Sequence, residues 1–270
     1  MSLAALDVLL RRDRVIALLA LGGLLVAAWS YLLYLACGMA DPAMSEMPGM
    51  PGMSITMPDM HPWSWVEFAA LLMMWIIMMI AMMIPAAAPM ILAFSAVHRR
   101  RASEGGPAVP TSIFVLGYLV VWGLFGLVAA VVQVALHARA LLSPDMSAAG
   151  PLFAGALLIA AGIFQWTPLK HACLSACRSP LSFLMSRWRE GRAGSFLVGL
   201  QHGLYCLGCC WALMALLFAA GVMNLVWVAG LAIIVMVEKV APRGDMLARL
   251  AGVGLLLAGT ILATRAILGG

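Results

Sequence analysis

Charge is scarce in this sequence. Asp, Glu, Lys and Arg supply 10% of its 270 residues, where an ordinary soluble domain carries about 25%. Lysine occurs only at Lys170 and Lys239. Neither lies in a GxxxxGK[ST] loop, and no DKTG-type phosphorylation motif is present, so the chain shows no readable apparatus for hydrolysing nucleotide. There is no CxxCH haem-attachment site. The six cysteines match no standard zinc-finger spacing, and no solenoid-type repeat is visible. What fills the chain instead is apolar: 64% of residues are hydrophobic and the mean hydropathy is +1.05. These values exclude a soluble globular domain, a disordered chain and a small disulfide scaffold. They point to an integral membrane protein whose first partner is the lipid bilayer.

Windows of about 20 apolar residues fall near 15–37, 66–97, 112–136, 150–166, 196–220, 223–238 and 247–268. The expectation is an all-α, polytopic transmembrane helix bundle of about seven helices, six at the least. The second window is too long for one straight crossing, so Pro85 and Pro89 are expected to kink it or to divide a span from an interfacial extension. The net charge of +5 does not indicate nucleic acid, because the basic residues stand at the ends of apolar runs, where they set topology. With the N-terminus in the cytoplasm, the inner segments hold Arg11, Arg12, Arg14, Arg99, Arg100, Arg101, Lys170, Arg178, Arg187, Arg189, Arg192, Lys239, Arg243 and Arg249, and the outer ones only Arg139 and Arg265. Leu35-Ala36-Cys37 is similar to a lipoprotein cleavage site, but Tyr34 fits it poorly and the run exceeds a signal-peptide core of about 7–15 residues, so the first helix reads as a retained anchor. The organisation expected is a tail and first helix over 1–37, an extracytoplasmic Met/Pro/Gly-rich loop over 38–63 and a six-helix membrane domain over 64–270.

The loop reads MADPAMSEMPGMPGMSITMPDM from Met39. Met44, Met47, Met50, Met53, Met57 and Met60 stand in it with Met39, and His61 follows. Pro48-Gly49 and Pro51-Gly52 oppose a helix. Thioether is a soft, neutral ligand that suits Cu(I) and ignores Mg²⁺ and Ca²⁺. A solvated loop has no packing gap for methionine to fill; the plain alternative is a linker that happens to contain it. In the second span, Met74, Met78 and Met82 form one helical stripe, and Met79, Met83 and Met90 another. Such a ladder reads either as adaptable packing or as a relay of soft ligands through Met74, Met78, Met79, Met82 and Met83.

A third group gathers toward the inner side. QWTPLKHACLSACRSP, read as a loop, holds His171, Cys173 and Cys177, and the next span opens GLQHGLYCLGCCW. On a helix, Cys173 and Cys177 share a face; so do His202, Cys206 and Cys209, with Cys210 at the edge. His98 ends the second span on the same side, while Glu238 and Lys239 end the sixth. The cytoplasm is reducing, so structural disulfides are not expected there. His98, His171, Cys173, Cys177, His202, Cys206, Cys209 and Cys210 are therefore candidate ligands for Cu(I), Zn²⁺ or an iron centre. The alternative is that cysteine fills space as a small apolar residue. Gln133, Gln165 and Gln201 are expected to make interhelical hydrogen bonds, and Gly254 with Ala258 to form a small-residue packing face.

The stretches MMWIIMMIAMMIPAAAPM, YLVVWGLFG, FQWTPLKHACLSACRSP and GLQHGLYCLGCCWALMALLFAAGVMNLVWV resemble the signatures of the bacterial predicted metal-binding integral membrane proteins. That family was first catalogued as a domain of unknown function and is often labelled copper chaperone. The resemblance covers roughly residues 64 to 243. It implies a polytopic protein of the bacterial inner membrane, with the Cys, His and Met positions of the motifs as candidate ligands. Three functions follow. One is Cu(I) handling as a chaperone, a transporter or an assembly factor, with a copper-dependent membrane enzyme or a periplasmic metal carrier as partner. The second is a membrane oxidoreductase with zinc, iron or non-covalent haem held by the Cys/His group. The third is a structural subunit without metal.

Overall fold

The computed structural model of the protein describes residues 3–40, 64–105, 107, 109–139, 141 and 150–268. Among these residues all regular structure is helical. The first helices are α1 (Leu3–Ala40), α2 (Trp65–Ser103) and α3 (Thr111–His137). A capping box starts α2: the Glu67 backbone N–H donates to Ser64 Oγ at 3.3 Å, and the Ser64 N–H donates to the Glu67 carboxylate at 2.8 Å. α2 then runs unbroken through Pro85 and Pro89, so these prolines do not divide it. Each removes one backbone donor; in a membrane helix neighbouring groups and local adjustment absorb that loss.

The segment read as a loop after the fourth span is helical. α4 (Pro151–Phe164) is followed at a 66° bend by α5 (Pro168–Arg178), and then by α6 (Pro180–Arg187). Local sequence explains the break. Thr167 caps α5 by accepting the Lys170 N–H, and Pro168 occupies its first turn, where the missing donor costs nothing. Pro180 starts α6 in the same way. The chain continues as α7 (Gly191–Ala215), the single turn α8 (Leu217–Ala220), α9 (Leu225–Val240) and α10 (Gly244–Leu268).

Among the described residues, five segments are long and apolar enough to cross a membrane: Leu18–Cys37, Trp65–Ser103, Thr111–His137, Gly191–Ala220 and Gly244–Leu268. The bent pair α4–α5 makes six if it is one span. Among the described residues the count is therefore five, or six with the bent pair, and six is the lower bound of the six to seven helices expected. The difference lies in α9, whose 16 residues reach about 24 Å at 1.5 Å per residue, short of a hydrocarbon core about 30 Å thick.

α2 is the hub, packed against α1, α3 and α9. Both its methionine stripes are inside: Met74, Met78, Met79, Met82, Met83 and Met90 are all buried. α3 and α7 approach so closely that a Cβ on Gly199 would collide with the Phe114 carbonyl, and one on Gly117 with that of Phe196. α4 and α10 pack antiparallel through glycines, since a Cβ on Gly155 would lie 2.9 Å from the Gly259 oxygen, and one on Gly162 would lie 3.0 Å from the Gly252 oxygen. Small residues that bring backbones together are the usual device for helix association in lipid. The packing face is therefore Gly252 and Gly259; the expected Gly254 faces open space.

Candidate metal centre

Lys170 and Lys239, which position in the sequence reads as inner-loop charges, lie inside the bundle. Lys170 is fully buried and Lys239 nearly so. A buried charge needs a partner, and each lysine has one. Lys170 Nζ donates to Glu238 Oε2 at 2.7 Å, and Gln165 Nε2 donates to Glu238 Oε1 at 3.1 Å. The bend between α4 and α5 is thereby tied to the end of α9. Glu238 being so engaged, Lys239 turns to sulfur: its Nζ donates to Cys206 Sγ at 2.8 Å. The Tyr118 hydroxyl donates to the Met83 carbonyl at 3.1 Å and lies 3.1 Å from the same Cys206 Sγ. One tyrosine of α3 thus joins the middle of the methionine helix to the cysteine helix.

Around Cys206 stand the other inner thiols. Cys209 and Cys210 each donate to the Cys206 carbonyl, at 3.1 Å and 2.9 Å. The Cys177 thiol of α5 stands next to Cys209. Cys173 packs on the glycine before it, where a Cβ on Gly208 would lie 2.7 Å from Cys173 Sγ. All five are buried and unoxidised; Cys37 is exposed. α5 and α7 thus bring together the two cysteine groups of the sequence.

The histidines are placed differently. His202 is buried beside Tyr118, Phe114 and Phe183, at ring distances of 5.5, 6.1 and 5.7 Å, and its Nδ1 has no hydrogen-bond partner among the described residues. His98 Nε2 accepts the Val109 N–H at 2.6 Å and its ring stacks with Phe94 and Trp188, while its Nδ1, like that of His202, has no partner among the described residues. His171 is partly exposed, with Nδ1 3.5 Å from Asp245 Oδ1. The five relay methionines pack in the core around α2, and Met90 packs there with them. Met44, Met47, Met50, Met53, Met57, Met60 and His61 lie outside the described residues.

Among the described residues no group of three or more His, Cys, Asp or Glu side chains is arranged to hold a metal ion. A structural zinc site asks for four such ligands in a tetrahedron, and these side chains do not form one. The donor chemistry fits a soft monovalent ion better, since thiolate and thioether ligands select Cu(I). Cys206, Cys209, Cys210, Cys177 and Cys173 are the groups that could hold it. Lys170, Glu238, Gln165, Lys239 and Tyr118 were not among the candidates read from sequence. The signal that could have found the lysines is that both of the chain's lysines adjoin apolar stretches, and an ionisable residue within a membrane bundle is a functional candidate by default.

The helices and this interior define a multi-pass membrane protein with a buried thiol cluster. The model of the PpoB2 family, described as copper chaperone, matches residues 72–262, well over half of the chain. The chain belongs to that family. No curated protein matches the chain, and no solved structure does.

Proposed function

We propose that this protein handles Cu(I) and holds it at the thiols of Cys206 and Cys209, with Cys177, Cys210 and Cys173 beside them. The observation that carries the reading is the gathering of five cysteines from α5 and α7 in the interior, in a chain of the copper chaperone family. Copper is cargo here. Met44, Met47, Met50, Met53, Met57, Met60 and His61 would capture it outside, and Met74, Met78, Met79, Met82 and Met83 would line its route. Thiolates bind Cu(I) more tightly than thioethers, so the ligand order favours inward passage or retention. The buried ammonium of Lys239 against Cys206 supplies the positive charge that a copper–dithiolate anion needs away from water. His202 stands one helical turn before Cys206 and has a free Nδ1. His98 and His171 have structural engagements and are not ligands in this reading.

The setting that follows is a bacterial inner membrane with the N-terminus in the cytoplasm. Lys170 and Lys239, counted among the inner basic residues, are buried within the bundle. The receiver of the copper is a copper-dependent membrane enzyme, or the donor a periplasmic carrier. The test is titration of the reduced, metal-free protein with Cu(I) against a chromogenic chelator, beside the Cys206→Ser/Cys209→Ser variant. Tight binding of one ion, lost in the variant, supports the proposal. Equal binding by both proteins contradicts it.

A further inference from the structure

A second feature lies apart from the thiols, at the end of the bundle where α2 finishes and α7 begins. That end is fixed by Arg101, whose guanidinium lies 4.7 Å over the Trp188 ring and 3.6 Å from Glu190. Beside it is a cavity of about 330 Å³, lined by Ser186, Arg187, Trp188, Arg189 and Gln201. That volume is at the small end of ligand pockets, which run to about 300–1,000 Å³.

The lining lacks partners in a specific way. Among the described residues, Trp188 Nε1 is buried and donates to nothing, and Gln201 Oε1 is buried and accepts from nothing. Both atoms belong to residues that line the cavity. Unpaired buried polar atoms are costly, so a group that accepts from the indole and donates to the amide would relieve both. Among the described residues the guanidinium of Arg187 meets only neutral groups, donating to the Tyr205 hydroxyl at 2.6 Å and lying over the Tyr205 and Phe183 rings. Arg189 makes no ion pair with a carboxylate among the described residues. The neighbouring acid Glu190 faces Arg101. Two arginines without an anion, one free donor and one free acceptor together ask for an anion that carries hydroxyl groups.

The surroundings say where such an anion comes from. On α6, Leu181 and Met185 are 62% and 82% exposed, one helical turn apart and immediately before the cavity residues. Exposed apolar side chains next to arginine and tryptophan are the composition of a membrane interface. Basic pockets between membrane helices are a known way to hold anionic headgroups.

We infer that this cavity binds the headgroup of an anionic glycerophospholipid bearing hydroxyl groups, with Arg187 and Arg189 on the phosphate and Trp188 and Gln201 on its oxygens and hydroxyls. This inference does not depend on copper.

The test uses the full-length protein in detergent and counts retained lipid by native mass spectrometry. Phosphatidylglycerol should be retained about thirtyfold over phosphatidylcholine, the scale expected of two interfacial arginines. Phosphatidylmethanol, equal in charge but without hydroxyls, should fall between them. Arg187→Gln/Arg189→Gln should reduce phosphatidylglycerol to the phosphatidylcholine level. Arg243→Gln, which removes an exposed charge on the α9–α10 turn, should leave the preference intact. Gln201→Leu should erase the difference between phosphatidylglycerol and phosphatidylmethanol. Equal retention of phosphatidylglycerol and phosphatidylcholine, or a preference that survives the double arginine substitution, overturns the site. Displacement of the lipid by soluble glycerol 3-phosphate at equal concentration overturns the lipid source and assigns the cavity to a free phosphate ester.

Discussion

Glu238→Leu should be among the most damaging single substitutions in this protein. Its carboxylate lies 2.7 Å from Lys170 Nζ, with side-chain exposures of 3% and 0%. At that separation the attraction is about 6 kcal/mol for an effective dielectric of about 20. Most of it offsets the cost of taking both ions out of water, so the pair itself contributes little net stability. Removing one partner is different, because the other charge stays buried and uncompensated, at a cost of about 3–5 kcal/mol. Gln165 also loses its acceptor, which adds about 1 kcal/mol. Glu238→Gln keeps an amide oxygen in place and should fall at the lower end of that range. The double variant Lys170→Met/Glu238→Leu leaves no stranded charge and should lie within about 2 kcal/mol of the parent. The assay is reversible unfolding in mixed micelles of rising denaturing-detergent fraction, followed by circular dichroism. Single variants within about 1 kcal/mol of the parent would refute the reasoning, as would a double variant destabilised by the full sum of the singles.

Other outcomes follow from the same structure. Gly199→Val should lower stability by about 3 kcal/mol or more, because its side chain would enter the Phe114 backbone; Gly254→Ala, facing open space, should be neutral or gain up to about 1 kcal/mol, and the same unfolding assay compares them. His98→Ala should cost about 1–3 kcal/mol by stranding the Val109 N–H, yet leave copper retention unchanged when metal content is measured. Maleimide labelling of the folded protein, read by mass spectrometry, should modify Cys37 within minutes and spare Cys206, Cys209 and Cys210 until the detergent denatures the chain.

Much of this architecture is legible in the sequence because hydropathy reports burial in lipid directly. The long runs of α2, α3, α7 and α10 and the helical pattern of the methionines are examples. Less legible were the elements whose place depends on neighbours. α5 is amphipathic and follows a long apolar stretch, so it reads as a loop; only Thr167-Pro168 and Ser179-Pro180 announce helix starts there. The same misplacement hid the site's charges. Lys170 looks like an inner-loop cation until α5 folds back into the bundle, and Lys239 until Cys206 is seen beside it. Helix faces follow from spacing, so His202, Cys206 and Cys209 could be grouped in advance. Helix neighbours do not, and it took the three-dimensional arrangement to bring Cys177 beside Cys209.

The central claim is that Cu(I) is held by sulfur inside the bundle. X-ray absorption of protein purified under reducing conditions after growth with copper tests it most directly. The account predicts a Cu(I) edge with a first shell of sulfur only, near one copper per chain, lost in Cys206→Ser/Cys209→Ser and kept in His98→Ala. A shell dominated by nitrogen, or copper retained at full level without those two cysteines, would contradict it.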